Sequence, residues 1–180
     1  MKSQNGMGHL ATIICIIIIF STIFGFIFYA KNKFEQENKQ NYETDMLLIQ
    51  GKIKVISQEV AIKKTEELIK GKKLEENLEN EEIMKLIEKD IISQEDTDFS
   101  KYYYLEKNDL DEIGLPNIKL ESGYYIVNYE TYEVIYSKGI EIKDNIYYKL
   151  SELQALNEEE NSQNINEEEI KENVLQQVEE

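Results

Sequence analysis

Leu10 to Ala30 form 21 consecutive residues without one charged side chain. Eight are Ile, four are Phe and one is Leu. At about 1.5 Å per helical residue the run spans roughly 31 Å, the thickness of a bilayer's hydrocarbon core. At about −0.3 to −0.6 kcal/mol each, these strongly apolar residues favour insertion by roughly 4 to 8 kcal/mol as an upper range. No face of the run is polar, unlike the core helix of a soluble protein. A removable secretory signal has an apolar core of about 7 to 15 residues and a small-x-small cleavage site. This run is longer, and Ala30 is preceded by Phe28 and Tyr29. The expectation is a retained transmembrane helix over 10–30, with a short polar leader over 1–9. Membrane lipid is then a partner by construction, and the chain after Lys31 is an appendage of the anchor.

That appendage, 31–180, is 150 residues, enough for one domain plus extras. The chain carries a formal charge of −16, and residues 157–180 contribute nine Glu against one Lys. It contains no Arg. Arg is the preferred side chain for bidentate contact with phosphates and bases, and an acidic surface repels a polyanion. Nucleic acid is therefore excluded as a partner, and anionic lipid headgroups repel the polar part. Cys15 is the single cysteine and lies in the apolar run, so no intrachain disulfide forms.

The chemistry of catalysis is missing. The one histidine is His9, at the membrane boundary. Neither a His-supported nucleophile nor a His/Cys zinc site can be assembled from it. No Gly-rich phosphate loop is present. Asp96/Asp98 and Asp109/Asp111/Glu112 group oxygen ligands suited to a hard cation, but neither follows an EF-hand spacing, and both read as solvated loops. The expectation is a non-enzyme with no cofactor, no metal and no small-molecule substrate.

The stalk, 31–93, reads as two helices over 31–70 and 73–92. Met46, Ile49, Ile53, Ile56 and Val60 are spaced 3, 4, 3, 4, an amphipathic stripe. The stripe packs either against the protein's own domain or against a partner helix. Gly71 after Lys70 predicts the first helix's stop. Ile83, Met84, Ile87 and Ile91 share one side of the second helix.

From Thr97 the pattern turns to strands, a small head over 97–156. Residues 100–105 and 146–150 read as strands. Asn108 or Asp109 caps a short helical turn ending near Gly114, with Pro116 beyond. The runs 123–129 and 133–136 predict a hairpin carried by Tyr125, Val127, Tyr129, Val134 and Tyr136. The many tyrosines here are either cross-strand packing or an exposed aromatic face for protein or glycan. So small a head buries little alone, which predicts that its antiparallel sheet lies on the stripe of the long helix. The expected fold is α+β: a long N-terminal helix, half membrane and half amphipathic, a second helix, and a small C-terminal sheet packed on the first. Residues 157–180 read as a disordered acidic tail, with Ile170, Val174 and Val178 spaced for a transient helix.

This plan resembles the type IV pilins and type II secretion pseudopilins. The resemblance of Asp109–Leu115, Gly123–Tyr136 and Tyr147–Leu153 is to the C-terminal ends of pilin-like proteins of Gram-positive bacteria. It implies leader cleavage after Gly8, with His9 as the new N-terminus. The family's Glu at the fifth mature position is here Ile13, or Ala11 if cleavage follows Gly6. The family's usual Gly in the hairpin turn is Tyr132. The resemblance further implies a single-pass protein of the bacterial cell membrane with its C-terminal domain extracellular. The lysines point mildly the other way, with Lys2 before the run and Lys31, Lys33 and Lys39 after it. The implied function is a structural subunit of a type IV filament or secretion-type assembly, self-associating or joining other pilin-like subunits through the 10–30 helix and the Met46–Val60 stripe. The alternative is a non-polymerising single-pass protein that presents an interaction domain at the cell envelope.

Overall fold

The computed structural model describes residues 5–92, 98–118, 120, 122–160 and 162. The chain divides into two compact units, Met1–Asn38 and Lys39–Glu180. Helix α1 runs Asn5–Lys63. Its first part makes up the described portion of unit one, and residues 39–63 belong to unit two. The helix has no proline, and its mid-chain glycines, Gly25 and Gly51, do not interrupt it.

Helix α1 stops at Lys63, earlier than the Gly71 signal predicts. Lys64 takes φ +53 and donates its N–H to Val60 O at 2.8 Å, closing the last turn. Gly71 serves elsewhere, where the backbone passes close to its neighbour strand. The second predicted helix, 73–92, is also shorter. Strand β1 (Lys72–Lys73) and a 3-10 turn (Glu75–Asn77) occupy its beginning, and α2 spans only Glu81–Glu88. Asn80 sets that start, accepting a hydrogen bond from Glu82 N at 2.9 Å. The buried side chains of α2 are Ile83 and Leu86, whereas Met84 is exposed.

Next come β2 (Tyr102–Leu105), α3 (Lys107–Glu112), β3 (Tyr125–Asn128), β4 (Val134–Ile142) and β5 (Asn145–Lys149). Residues 150–160 are helical and are labelled α4. The five strands form one antiparallel sheet in the order β1-β2-β3-β4-β5. Thus the fold is α+β, with the sheet packed on α1.

Strand alternation sorts the side chains to two faces. Tyr103, Leu105, Tyr125, Val127, Val134 and Tyr136 join Met46, Ile49, Ile53 and Ile56 in one core, with Leu150 and Leu153 of α4. Tyr104, Tyr124, Ile126, Ile135 and Tyr148 meet Leu74, Ile83, Leu86 and Ile92 in a second core on the opposite face. The sheet is therefore covered on both sides, which is why residues 124–127 read as an unbroken apolar run.

Residues 157–160, read above as the start of a disordered tail, belong to α4. Asn157 Nδ2 donates to Glu43 Oε1 at 2.7 Å, and Glu160 pairs with Lys39 at 2.7 Å and with Lys143 at 3.1 Å. A count of apolar groups misses this docking, because polar bonds to α1 supply it. Residue 161 and residues 163–180, with Ile170, Val174 and Val178, lie outside the described residues.

Candidate functional site

The side chains from Ile14 to Tyr29 are exposed throughout. An 18-residue window within Ile14–Lys63 has mean hydropathy 2.2, and none of it is buried. Burying one large apolar side chain is worth about 1.5–3 kcal/mol, so a run of Ile and Phe left bare calls for an apolar surrounding. By length and composition this helix is a candidate transmembrane span. Gly8, His9, Ala11 and Ile13 all fall within α1, which already begins at Asn5.

The predicted stripe points into the head. Met46, Ile49 and Ile53 have no exposed surface, Ile56 is buried, and Val60 is partly covered. Polar residues of the same helix tie it to the hairpin turn: Gln50 Nε2 donates to Tyr132 O at 3.0 Å, and Ser57 Oγ donates to Tyr129 O at 2.7 Å. The protein's own sheet therefore consumes this face, and lateral contact with other subunits through it is ruled out while the head is folded.

The hairpin residues come together in register, with Tyr125 opposite Tyr136 and Val127 opposite Val134. Tyr129 falls in the turn rather than the strand. That turn is wide, 129–133, because Asn128 Oδ1 accepts from both Glu130 N (2.8 Å) and Thr131 N (3.0 Å). Tyr132 sits at φ +63, the left-handed conformation that glycine adopts at least cost. Its ring lies under the Lys54 ammonium at 5.5 Å, which helps hold the strained residue.

The tyrosines do not form an exposed aromatic face. Tyr103, Tyr104, Tyr124, Tyr125, Tyr129, Tyr136 and Tyr148 are all buried. Tyr42 of α1 stacks on Tyr136 at 5.0 Å, Tyr125 lies 5.2 Å from Tyr136, and Tyr103 meets Tyr129 edge-on at 5.3 Å. Their hydroxyls differ in what they reach. Tyr129 Oη donates to Lys70 O at 3.1 Å and accepts from Lys70 N at 3.3 Å, pinning the loop after α1. Tyr125 Oη is buried without a hydrogen bond. Tyr125→Phe is therefore expected to stabilise the fold by about 1–3 kcal/mol, while Tyr129→Phe is expected to cost about 0.5–1.5 kcal/mol. Urea unfolding of both variants checks the contrast, and shifts of equal sign refute it.

Burial raises the pKa values of Tyr103, Tyr124, Tyr125 and Tyr129. Tyr129 is pushed up to about 12, and Tyr125 well above the ordinary value, with the Asp45 carboxylate adding to the effect. A raised pKa in the folded state gives stability that is complete below the unfolded value of about 10 and is lost as pH rises through the folded one. Alkaline unfolding is thus expected between about pH 10 and 12, with phenolate absorbance and loss of circular dichroism rising together. Tyr129→Phe should flatten that dependence. Asp45 shows the same sign at the acid end: burial raises its pKa, so its ionisation lowers stability as pH rises.

The acidic clusters are engaged in local structure. Asp109 Oδ2 accepts from Glu106 N at 2.8 Å at the start of α3, Asp111 pairs with Lys107 at 2.6 Å, and Glu112 pairs with Lys70 at 3.1 Å. Asp98 caps the turn at Ser100 with a 3.0 Å bond, and Asp96 lies outside the described residues. A cleft of about 330 Å³ lies beside Val60, Ile69, Tyr103 and Tyr129. Its rim carries the Lys101–Glu130 ion pair at 2.6 Å.

One surface escaped the sequence reading. Leu47, Leu48, Val55 and Ile62 of α1 are exposed, Ile62 at 80%. The signal was present, since Leu48, Val55 and Ile62 are spaced seven apart. The stronger 3-4 pattern of the buried stripe overshadowed it.

No protein-family model, no curated protein and no solved structure matches this chain.

Proposed function

We propose that the chain is a membrane-anchored, pilin-like structural subunit of a type IV filament or type II secretion-type assembly. The span over 10–30 holds it in the bacterial cell membrane, and the head stands outside. The observation that carries the reading is the division of labour along α1: a bare apolar segment that none of the described residues covers, and a later segment whose stripe is buried under the sheet. Such a molecule has an anchor and a rigid head, and its function is assembly rather than turnover. The resemblance of Asp109–Leu115, Gly123–Tyr136 and Tyr147–Leu153 to pilin-like ends supports the same reading. Because the stripe is spent internally, contacts with neighbouring subunits fall to the span and to other faces of the head.

Mass spectrometry of the protein from its own membrane tests the assignment. A new N-terminus at His9, after cleavage following Gly8, is the expected result. A second reading rests on Ile13, which stands where pilins carry the Glu that pairs with a neighbour's N-terminus in lipid. Without that charge an amine buried in a filament core is costly. This favours a non-polymerising single-pass protein, and an uncleaved chain in the membrane fraction would decide for it.

A further inference from the structure

Helix α4 is held differently at its two ends. Its beginning is apolar: Leu150 and Leu153 have no exposed surface and belong to the core shared with α1. Beyond Leu153 no described residue of α4 is buried, and Gln154, Ala155, Glu158 and Glu159 are exposed. Leu156 is only partly covered. The last turn is tied down by polar groups. Glu160 Oε2 accepts from Lys39 Nζ at 2.7 Å, its Oε1 accepts from Lys143 Nζ at 3.1 Å, and Asn157 Nδ2 donates to Glu43 Oε1 at 2.7 Å. Such an end, with little apolar cover, is the kind of segment that opens locally without the rest of a fold.

Lys39 decides how firmly this end is held. Its side chain is 8% exposed, against 37% for Glu160 and 72% for Lys143. An ammonium so far out of water needs an anion beside it, and taking that anion away leaves a buried charge unpaired. The Lys143 pair is exposed and contributes little. Among the described residues, Glu160 is the carboxylate paired with Lys39. The titratable groups around it are Lys39, Tyr42 and Glu43 of α1, Lys143 and Asp144 at the β4–β5 turn, and Glu158 and Glu159 of α4 itself. The hydrogen bond from Lys39, helped by that from Lys143, holds the Glu160 carboxyl below its ordinary value against the effect of burial.

We propose that residues 154–160 are a clasp that closes on Lys39 while Glu160 is ionised and opens when Glu160 is protonated, with both cores left packed. A carboxylate stabilised in the folded state gives docking that is complete above its unfolded pKa of about 4.3 and is lost as pH falls through the folded value. Opening therefore belongs below about pH 4. It lets water reach Lys39 and bares the side of α1 that Asn157 and Glu160 occupy. Leu150 and Leu153 keep the root of α4 in place, and protonation of Asp45 favours the folded head over the same range. All of these residues lie within the second unit, so the clasp works whether or not the chain assembles.

Quenching of bimane by tryptophan, in the full-length chain in dilute detergent micelles, tests it. The chain has no Trp, and Cys15→Ser removes its single cysteine. Glu158→Cys carries the bimane on the clasp, and Gln40→Trp, at an exposed position next to Lys39, carries the quencher on α1. The expected result is quenching at pH 7 that falls several-fold between about pH 5 and 3.5, while the near-ultraviolet circular dichroism of the head's tyrosines is unchanged. Glu160→Gln should abolish the quenching at pH 7. Adding Lys39→Met should restore it and keep it in acid, because an apolar side chain there needs no anion. Quenching that survives Glu160→Gln at pH 7 overturns the clasp. So does quenching lost only together with the tyrosine signal, in acid or in Glu160→Gln, since the head would then open as one body. Acid release that persists in the Lys39→Met, Glu160→Gln chain overturns it as well, because a different group would be responsible.

Discussion

Ile53→Ala destabilises the head by about 2–5 kcal/mol, the range for removing a fully buried branched side chain from a core that relaxes only partly. Ile53 has no exposed surface and sits mid-stripe among Ile49, Ile56 and the inward residues of β3 and β4. The loss combines the transfer free energy of the missing carbons with the cavity left between helix and sheet. Val55→Ala, two residues on and half-exposed, is expected to change stability by no more than about 0.5 kcal/mol. Urea titration of the full chain in detergent micelles, followed by tyrosine circular dichroism, separates the two. Equal shifts would mean that the sheet does not rest on this helix.

Gly71→Ala is the second large loss, about 2–3 kcal/mol or more. Gly71 has φ +96, where an L side chain is strained. A Cβ there would lie 2.7 Å from Tyr104 O and 2.6 Å from Leu105 Cδ2. The leucine can rotate away, but the carbonyl belongs to β2 and cannot move without breaking the β1–β2 pairing. That pairing matches Lys72 with Tyr104 and Lys73 with Tyr103 and leads into Leu74, a fully buried member of the second core. Faster hydrogen exchange at the Tyr103 and Tyr104 amides should accompany the lowered urea midpoint. Gly114→Ala is the comparison: its φ is +85, but the atom a Cβ would meet there is the flexible Lys52 Nζ at 3.8 Å. It should carry the backbone strain alone. A Gly71 variant no worse than this one would remove the close approach from the explanation.

The apolar helix, the stripe and the hairpin were all legible because each is written in residues close together in the chain. An uncharged run of 21 residues, a 3-4 repeat and a β-branched alternation are local patterns, and local sterics and burial read them directly. Boundaries were less legible. Lys64 ends α1 through a left-handed conformation that carries no residue-type signal, whereas Gly71, which does carry one, is needed where two strands nearly touch. The second helix shrank because Leu74 is anchored in the second core and Asn80 caps a later start.

The site was legible in part. The stripe residues were named, yet whether they faced the protein's own sheet or a partner depends on what lies above them. The outer Leu48–Val55–Ile62 face was missed because a heptad of three members is faint beside the buried pattern on the same helix.

Read alone, the order of residues determined that the chain carries an apolar helix and that its polar part is α+β. These follow from composition and from spacing along one strand or one helix. Only the tertiary structure decided that the sheet is covered on both faces, that the tyrosines point inward, and that residues 157–160 are docked. Each of those outcomes is set by contacts between residues far apart in the chain, such as Lys39 with Glu160 and Leu74 with Tyr102. Such pairings have no period, so they become visible only when the backbone brings them within reach.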